Sequence, residues 1–427
     1  MAISTDPYRF LTDPDALDLL REHGSPLYVY DETMLRQQAQ RALAFPNPFG
    51  LTVRYAMKAC PNGAILRILA GEGLHVDASS GWEARRAMAA GVAPNRIMLT
   101  AQQLADDVAQ LFEKGVRFNA CSLHQLASFG RLFPGASVGV RVNPGLGSGH
   151  SNRTNVGGPS ASFGIWHEHL PQILQIADEH DLDIQLLHSH IGSGSDPDVW
   201  QRCAHMTLQI AERLESVTTI SLGGGFKVAR MAEETPTNLS LAGGPIQQEL
   251  RAFAERHGRE LHLEIEPGTY LAANVGALLT TIVDVVDTGD EGYQFLKIDS
   301  GMTEILRPSM YGSQHPITLI SQHDGADIRM QEYLVVGHCC ESGDVLTPAP
   351  DNPEGLLTRS LQSARIGDGL LIGSSGAYCA AMSAKNYNSF PEAAEILRRT
   401  TGEFALIRQR QAPESVYANE IMPDNLS

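Results

Sequence analysis

From residue 51 the chain alternates short apolar runs with longer amphipathic stretches. The runs are LTVRYAM (51–57), LHVDAS (74–79), RIMLT (96–100), RFNACS (117–122), SVGVRVN (137–143), IQLLHSH (184–190), TTISLGG (218–224) and LHLEIEP (261–267). Runs of this length bounded by small or polar residues predict buried parallel strands. Between them, GWEARRAMAAG (81–91), LADDVAQLFEKG (104–115), LPQILQIADEHD (170–181) and CAHMTLQIAERLES (203–216) space apolar residues as one face of a helix. Eight such strand–helix units predict an α/β fold of the (β/α)8 TIM-barrel type, although periodicity alone leaves a doubly wound sheet open. Beyond Glu266 the rhythm changes. GALLTTIVDVVDT (276–288), YQFLKIDSG (293–301), MQEYLVVG (330–337) and GDGLLIG (367–373) predict a mainly β C-terminal domain, and SPLYVYD (25–31) is a strand available to it. The expected division is a barrel over 36–275 and a β-rich domain built from 1–35 and 276–427.

Polar residues stand where the predicted strands end. Lys58 follows VRYAM, Asp77 follows LHV, His188 and His190 follow IQLL, Gly223 to Gly225 follow TTISL, and Glu266 follows LHLEI. A barrel carries its active site at that end of its strands. Taken singly, a strand-end lysine reads as solvated, a His-x-His pair as packing and a glycine triplet as a tight turn. Five such positions in one ring read as a site. HIGSGS (190–195) and GGGF (223–226) are small-residue loops whose backbone N–H groups can approach a phosphate. Phosphate cradle, lysine amine and buried carboxylate together describe pyridoxal phosphate chemistry: the amine forms a Schiff base and the carboxylate keeps the pyridine nitrogen protonated.

Composition narrows the alternatives. The 427 residues are 43% hydrophobic with a net charge of −17 and no basic cluster, which argues against nucleic acid and anionic membranes as partners. No apolar stretch approaches the roughly 20 residues of a membrane span, and no basic-then-apolar leader opens the chain. Six cysteines, at 60, 121, 203, 339, 340 and 379, show neither a disulfide framework nor paired zinc-ligand spacing. The expectation is a cytoplasmic protein that holds no metal.

YAMKA, HVDASSGWE, RVNPGLGSGH, HSHIGSGS, GGGF, EIEPG, LRPSMYG, CESGDVL and GAYCAAMSAKNYN occur in this order across nearly the whole chain. Together they resemble diaminopimelate decarboxylase, one of the fold-type III pyridoxal-phosphate decarboxylases that include ornithine decarboxylase. GGG is the weakest of these motifs; CESGD followed by GAY…NYN is the most specific. The resemblance implies that Lys58 is the Schiff-base lysine, that His190 stacks on the cofactor ring with Asp77 nearby, and that Ser193, Gly225, Glu266, Pro267 and Gly268 surround ring and phosphate, Glu266 facing the pyridine nitrogen. It implies that Cys340 donates the proton and Glu341 contacts substrate, both from the partner subunit of a homodimer. Arg307 and Tyr311 would hold the substrate's distal carboxylate, and Tyr378 would touch cofactor and substrate. The competing reading of Cys339–Cys340 is two small buried apolar residues. Trp82, Trp166 and Trp200 are expected to pack.

Departures from the family pattern bear on substrate. The family signature Glu-Pro-Gly-Arg reads EPGT here, with Thr269 in place of an arginine that helps bind the distal carboxylate. A threonine cannot make the charged bidentate contact, worth about 1.5–3 kcal/mol or roughly 10- to 100-fold in binding. NYNSRP reads NYNSFP, with Phe390, and an added residue in MSAKNYN brings Lys385 as one source of replacement charge. Three readings follow: decarboxylation of meso-diaminopimelate to L-lysine; a paralogue acting on a related amino acid without that carboxylate, of D-lysine or D-ornithine type, or on a biosynthetic intermediate; and a metal-dependent barrel hydrolase using His188 and His190. The last requires further strand-end His and Asp ligands and explains neither CESGD nor GAY…NYN. Lys58 and Cys340 together disfavour a non-catalytic binding homologue.

Overall fold

The computed structural model describes residues 9–147, 157–190, 192, 194–321 and 329–424. The chain forms two compact units, one of residues 35–228 and 235–271, the other of residues up to 34, 229–234 and 272 onward.

Strand β1 (Leu27–Asp31) precedes the barrel strands β2 (Leu51–Ala56), β3 (His75–Ala78), β4 (Ile97–Leu99), β5 (Arg117–Ala120), β6 (Ser137–Asn143), β8 (Asp183–His188), β9 (Thr219–Ser221) and β10 (His262–Ile265); the two-residue β7 (Ile165–Trp166) lies beside β6. The order β5–β4–β3–β2–β10–β9–β8–β6 is parallel throughout, and pairing of β5 with β6 closes it. This is the predicted eight-stranded barrel, and closure removes the doubly wound alternative. Register is fixed by buried pairs such as Tyr55 with Val76, Leu187 with Ile220 and Ile265 with Val53. Helices follow the strands and start where short polar side chains cap them: Asn62 accepts from Ala64 N, Ser80 from Glu83 N and Ser122 from Gln125 N. The helix expected from Cys203 starts earlier, at Pro197, because Asp196 caps Asp198 N and proline suits the first turn. Between β2 and β10, Arg54 and Glu264 form a bidentate pair with two contacts of 2.7 Å, at 0% and 2% side-chain exposure.

The second unit contains β1 with β11 (Gly276–Asp287), β12 (Gln294–Ile298), β13 (Ile317–Ile320), β14 (Met330–Val336), the ribbon β15 (Pro348–Ala349) and β16 (Asn352–Leu356), β17 (Arg359–Gln362), β18 (Gly369–Ile372), β19 (Ala394–Arg398) and β20 (Phe404–Arg408). The main order is β17–β14–β12–β11–β1–β19–β20, with β18 paired to β11 and β13. All five residues of β1 are buried; it runs antiparallel to β11 and parallel to β19. Leu19, Leu27, Val29, Leu279, Leu371 and Ile396 share one core. Residues 229–234, which the rhythm puts in the barrel, belong to this unit, where Ala229 O accepts from Asn274 Nδ2.

Trp200 packs as expected, buried and stacked on Phe226 at 4.5 Å. Trp82 does not: it is 77% exposed, with the Arg85 guanidinium 4.5 Å above its ring. Its helix turns that face outward. Among the described residues no helix is long and apolar enough to cross a membrane.

Candidate active site

Lys58 sits in the single 3-10 turn Met57–Ala59 that β2 runs into, exposed between two buried neighbours. The end of β2 is tied to the loop after β10 by Ala56 N donating to Pro267 O at 3.2 Å. Asp77, on β3, is buried and its Oδ1 has no hydrogen-bond partner. Burial first, then the charge of Glu266, pushes its carboxyl up to about 7, against the opposing pull of Lys58. Glu266 is likewise buried and raised, by burial, while Ser221 Oγ donates to its Oε1 at 2.9 Å and Arg141 opposes the shift. Two buried carboxyls that repel each other need a positive partner.

His188 is buried after β8. Its Nδ1 lies 2.8 Å from Asn119 Nδ2, an arrangement that assigns the ring proton to Nε2. Nε2 is 3.3 Å from Glu266 Oε2 but off hydrogen-bond geometry. Burial, then Arg141, holds its pKa well below the ordinary value, so the contact is not an ion pair. His190 is depressed in the same way, and its Nδ1 has no partner.

The glycine triplet is more than a turn. Gly223 has φ +69°, and a Cβ there would stand 2.6 Å from His190 Nδ1; a Cβ on Gly224 would stand 2.2 Å from Glu266 O. Gly225, at φ +96°, accepts from Gly194 N at 3.1 Å. Small residues thus let backbone approach both the ring of His190 and the Glu266 turn. Gly268 O accepts from Leu271 N, and Thr269 opens the short helix Thr269–Ala272, half-buried. Ser193 lies outside the described residues.

These residues fit pyridoxal phosphate. A protonated ring nitrogen is the cationic donor that an orphaned Asp77 Oδ1 and a raised Glu266 lack, and the glycine loops leave room that a Cβ would fill. Among the described residues no group of three or more His, Cys, Asp or Glu is placed to hold a metal ion, so the hydrolase reading lacks its further ligands.

In the second unit, Arg307 begins the helix Arg307–Tyr311 and lies 5.8 Å over the Tyr311 ring. Its Nη2 donates to Ser313 Oγ at 3.2 Å, while its Nε has no partner. Tyr378 has φ +56°, a left-handed conformation that a bulky L-residue adopts only under constraint, and Asn386, Asn388 and Ser389 share that region. Cys340 is exposed, which removes the buried-apolar reading for it; its N–H donates to Asn388 Oδ1 at 2.8 Å. Glu341 is exposed beside it, its Oε1 accepting from Gly343 N. Cys339 is partly buried, and burial, then Asp344, pushes its thiol up to about 12. Lys385 pairs with Glu392 at 2.5 Å, and Phe390 stacks on His338 at 3.6 Å, so neither position offers a free cation.

Several residues escaped the sequence reading. Asn119 and Ser221 hydrogen-bond His188 and Glu266, and Arg141 acts on both through its charge; each lies in a predicted strand, where a polar residue among apolar neighbours is the available signal. Arg230, five residues past the triplet, is buried beside Arg307.

The pyridoxal binding domain of pyridoxal-dependent decarboxylases matches residues 32–273. A diaminopimelate decarboxylase from Escherichia coli (strain K12) is 37% identical over 97% of this chain and 99% of its own. A crystal structure of diaminopimelate decarboxylase superposes with TM-score 0.88 at 35% identity, covering 96% of each chain. The M. jannaschii enzyme in co-complex with L-lysine superposes with TM-score 0.85 at 25% identity, covering 97% of this chain and 96% of its own. Barrel and β-rich unit thus recur together over nearly the whole chain, and the chain belongs to the diaminopimelate decarboxylase family of pyridoxal-dependent decarboxylases.

Proposed function

We propose that the chain removes CO2 from meso-diaminopimelate to give L-lysine. The observation that carries this reading is the pair of buried, raised carboxyls, Asp77 and Glu266, set with Lys58 and the glycine triplet at the strand ends of the barrel. Pyridoxal phosphate, when bound, supplies an electron sink for the pair of electrons left behind as CO2 departs. Lys58 Nζ would hold the cofactor through its aldehyde group. Glu266 would face the ring nitrogen and favour its protonated form, with Ser221 Oγ donating to its Oε1. His190 would stack on the ring with Asp77 nearby, and Gly225, Pro267 and Gly268 would surround ring and phosphate. Cys340 Sγ gives the proton that replaces CO2. Arg307 and Tyr311 take the distal carboxylate, Glu341 contacts substrate, and Tyr378 and Thr269 line the same binding region. L-lysine, the ligand named for the M. jannaschii relative, carries that distal carboxylate unchanged.

The cytoplasm is the proposed compartment and a homodimer the proposed active form, with Cys340 and Glu341 serving the partner's site; their exposure in the single chain supports this. Mixed Lys58→Ala and Cys340→Ala chains should then regain part of the activity that each lacks. For the reaction itself, borohydride reduction of enzyme supplied with pyridoxal phosphate should place a stable adduct on Lys58 by peptide mapping. Lys58→Ala should then lose CO2 release from meso-diaminopimelate. An adduct elsewhere, or turnover by Lys58→Ala, defeats the proposal.

A further inference from the structure

Arg230 is 6% exposed, and neither its Nε nor its Nη2 finds a hydrogen-bond partner. Among the described residues no carboxylate lies within ion-pair distance of its guanidinium. The acid next to it in the fold, Glu234, instead accepts from Arg230's own backbone N–H at 2.7 Å. The neighbouring charge is another cation: Arg307, whose Nε is also unpartnered. Burial and Arg307 together bring Arg230 down to about 9, so it is still charged at neutral pH but at a cost. Two adjacent guanidinium groups with unmet donors in a buried setting are unfavourable unless an anion lies against them. A carboxylate would satisfy both, since the planar fork of arginine matches it.

The sequence shows which carboxylate. Position 269, where the family signature carries its arginine, is threonine, yet the chain keeps Arg307 and Tyr311. We infer that Arg230 supplies the missing guanidinium and, with Arg307, binds the distal carboxylate of the substrate. This rests on the decarboxylase reading above and deepens it: Arg230 becomes a specificity-determining residue that keeps the enzyme on dicarboxylic diamino acids despite Thr269.

The test compares two ligands of the holoenzyme, L-lysine and 1,5-diaminopentane, which is L-lysine without its carboxylate. Arg230→Gln should weaken L-lysine by about 10- to 100-fold and leave 1,5-diaminopentane within roughly twofold, with the cofactor absorbance unchanged. Unaltered L-lysine affinity overturns the inference, and so does equal weakening of both ligands, which marks a structural role. Should Arg230→Gln fail to fold, Arg230→Lys keeps the charge but loses the fork; it should weaken L-lysine on the order of 3- to 10-fold and spare 1,5-diaminopentane, and no such difference overturns the inference. Failure of the wild-type enzyme to make L-lysine from meso-diaminopimelate is a separate result that overturns the proposed reaction itself.

Discussion

Replacing Arg54 by methionine keeps most of the side-chain volume and removes the guanidinium from a pair that is almost wholly out of water. Glu264 then remains buried, with only the half-exposed Arg117 at 3.9 Å. Breaking one partner of a buried pair costs about 3–5 kcal/mol. For a unit of the barrel's size, roughly 2–4 °C per kcal/mol, the melting transition should fall by about 6–20 °C. Arg54→Met/Glu264→Leu removes both charges and should recover to within about 1 kcal/mol of wild type, a large coupling for one contact. The pH dependence sharpens the test. Burial pushes the Glu264 carboxyl up, but the Arg54 charge and hydrogen bonds outweigh it and hold it below the usual value. In the wild type its stabilising contribution is therefore present above the unfolded carboxylate pKa of about 4.3 and lost as pH falls through the lower folded pKa. Without Arg54, burial is opposed only by Arg117 and His262 and the folded pKa rises, so the single variant's deficit should be larger at pH 8 than at pH 5. Scanning calorimetry of the cofactor-free chain at both pH values measures this. A loss below about 1 kcal/mol at pH 8, or one equal at the two pH values, would show that Glu264 does not depend on Arg54 for its charge.

Asp77 has a folded pKa raised to about 7, so the stability it gives when protonated is lost as pH rises from about 4 through 7; Asp77→Asn should stabilise the cofactor-free protein at pH 8 and change it little near pH 4, read from melting temperatures. Gly224→Ala puts a Cβ 2.2 Å from Glu266 O and should cost about 1–3 kcal/mol while lowering affinity for pyridoxal phosphate, measured by absorbance titration. Lys385 is engaged by Glu392, so Lys385→Ala should leave KM for meso-diaminopimelate within about twofold, an exposed ion pair contributing under about 1 kcal/mol.

The barrel was legible because strands buried on both faces must be apolar throughout, and a candidate site because the polar exceptions fall at their ends. Lys58, Asp77, His190 and Glu266 became candidates this way; the strands that carry Lys58 and Glu266 are neighbours only because β10 pairs with β2. That pairing joins residues some 210 positions apart, and the same separation hid Arg54 and Glu264, each of which alone looks like a lapse in an apolar run. Arg230 was hidden for another reason. Nothing in its local sequence distinguishes a buried guanidinium from a solvated one, and the segment carrying it leaves the barrel rhythm for the other unit. Trp82 misled by residue type, since aromatic content says nothing about which way a helix face turns. The left-handed cluster from Tyr378 to Ser389 is legible only in backbone angles, the asparagines at 386 and 388 being its one sequence trace.

Decarboxylation of a substrate with a distal carboxylate is tested by kcat/KM for meso-diaminopimelate against D-lysine on the unmodified enzyme. The expected preference for meso-diaminopimelate is about 10- to 100-fold, the value of one charge-assisted contact, with L-lysine and CO2 formed in equal amounts. A preference for D-lysine would contradict it.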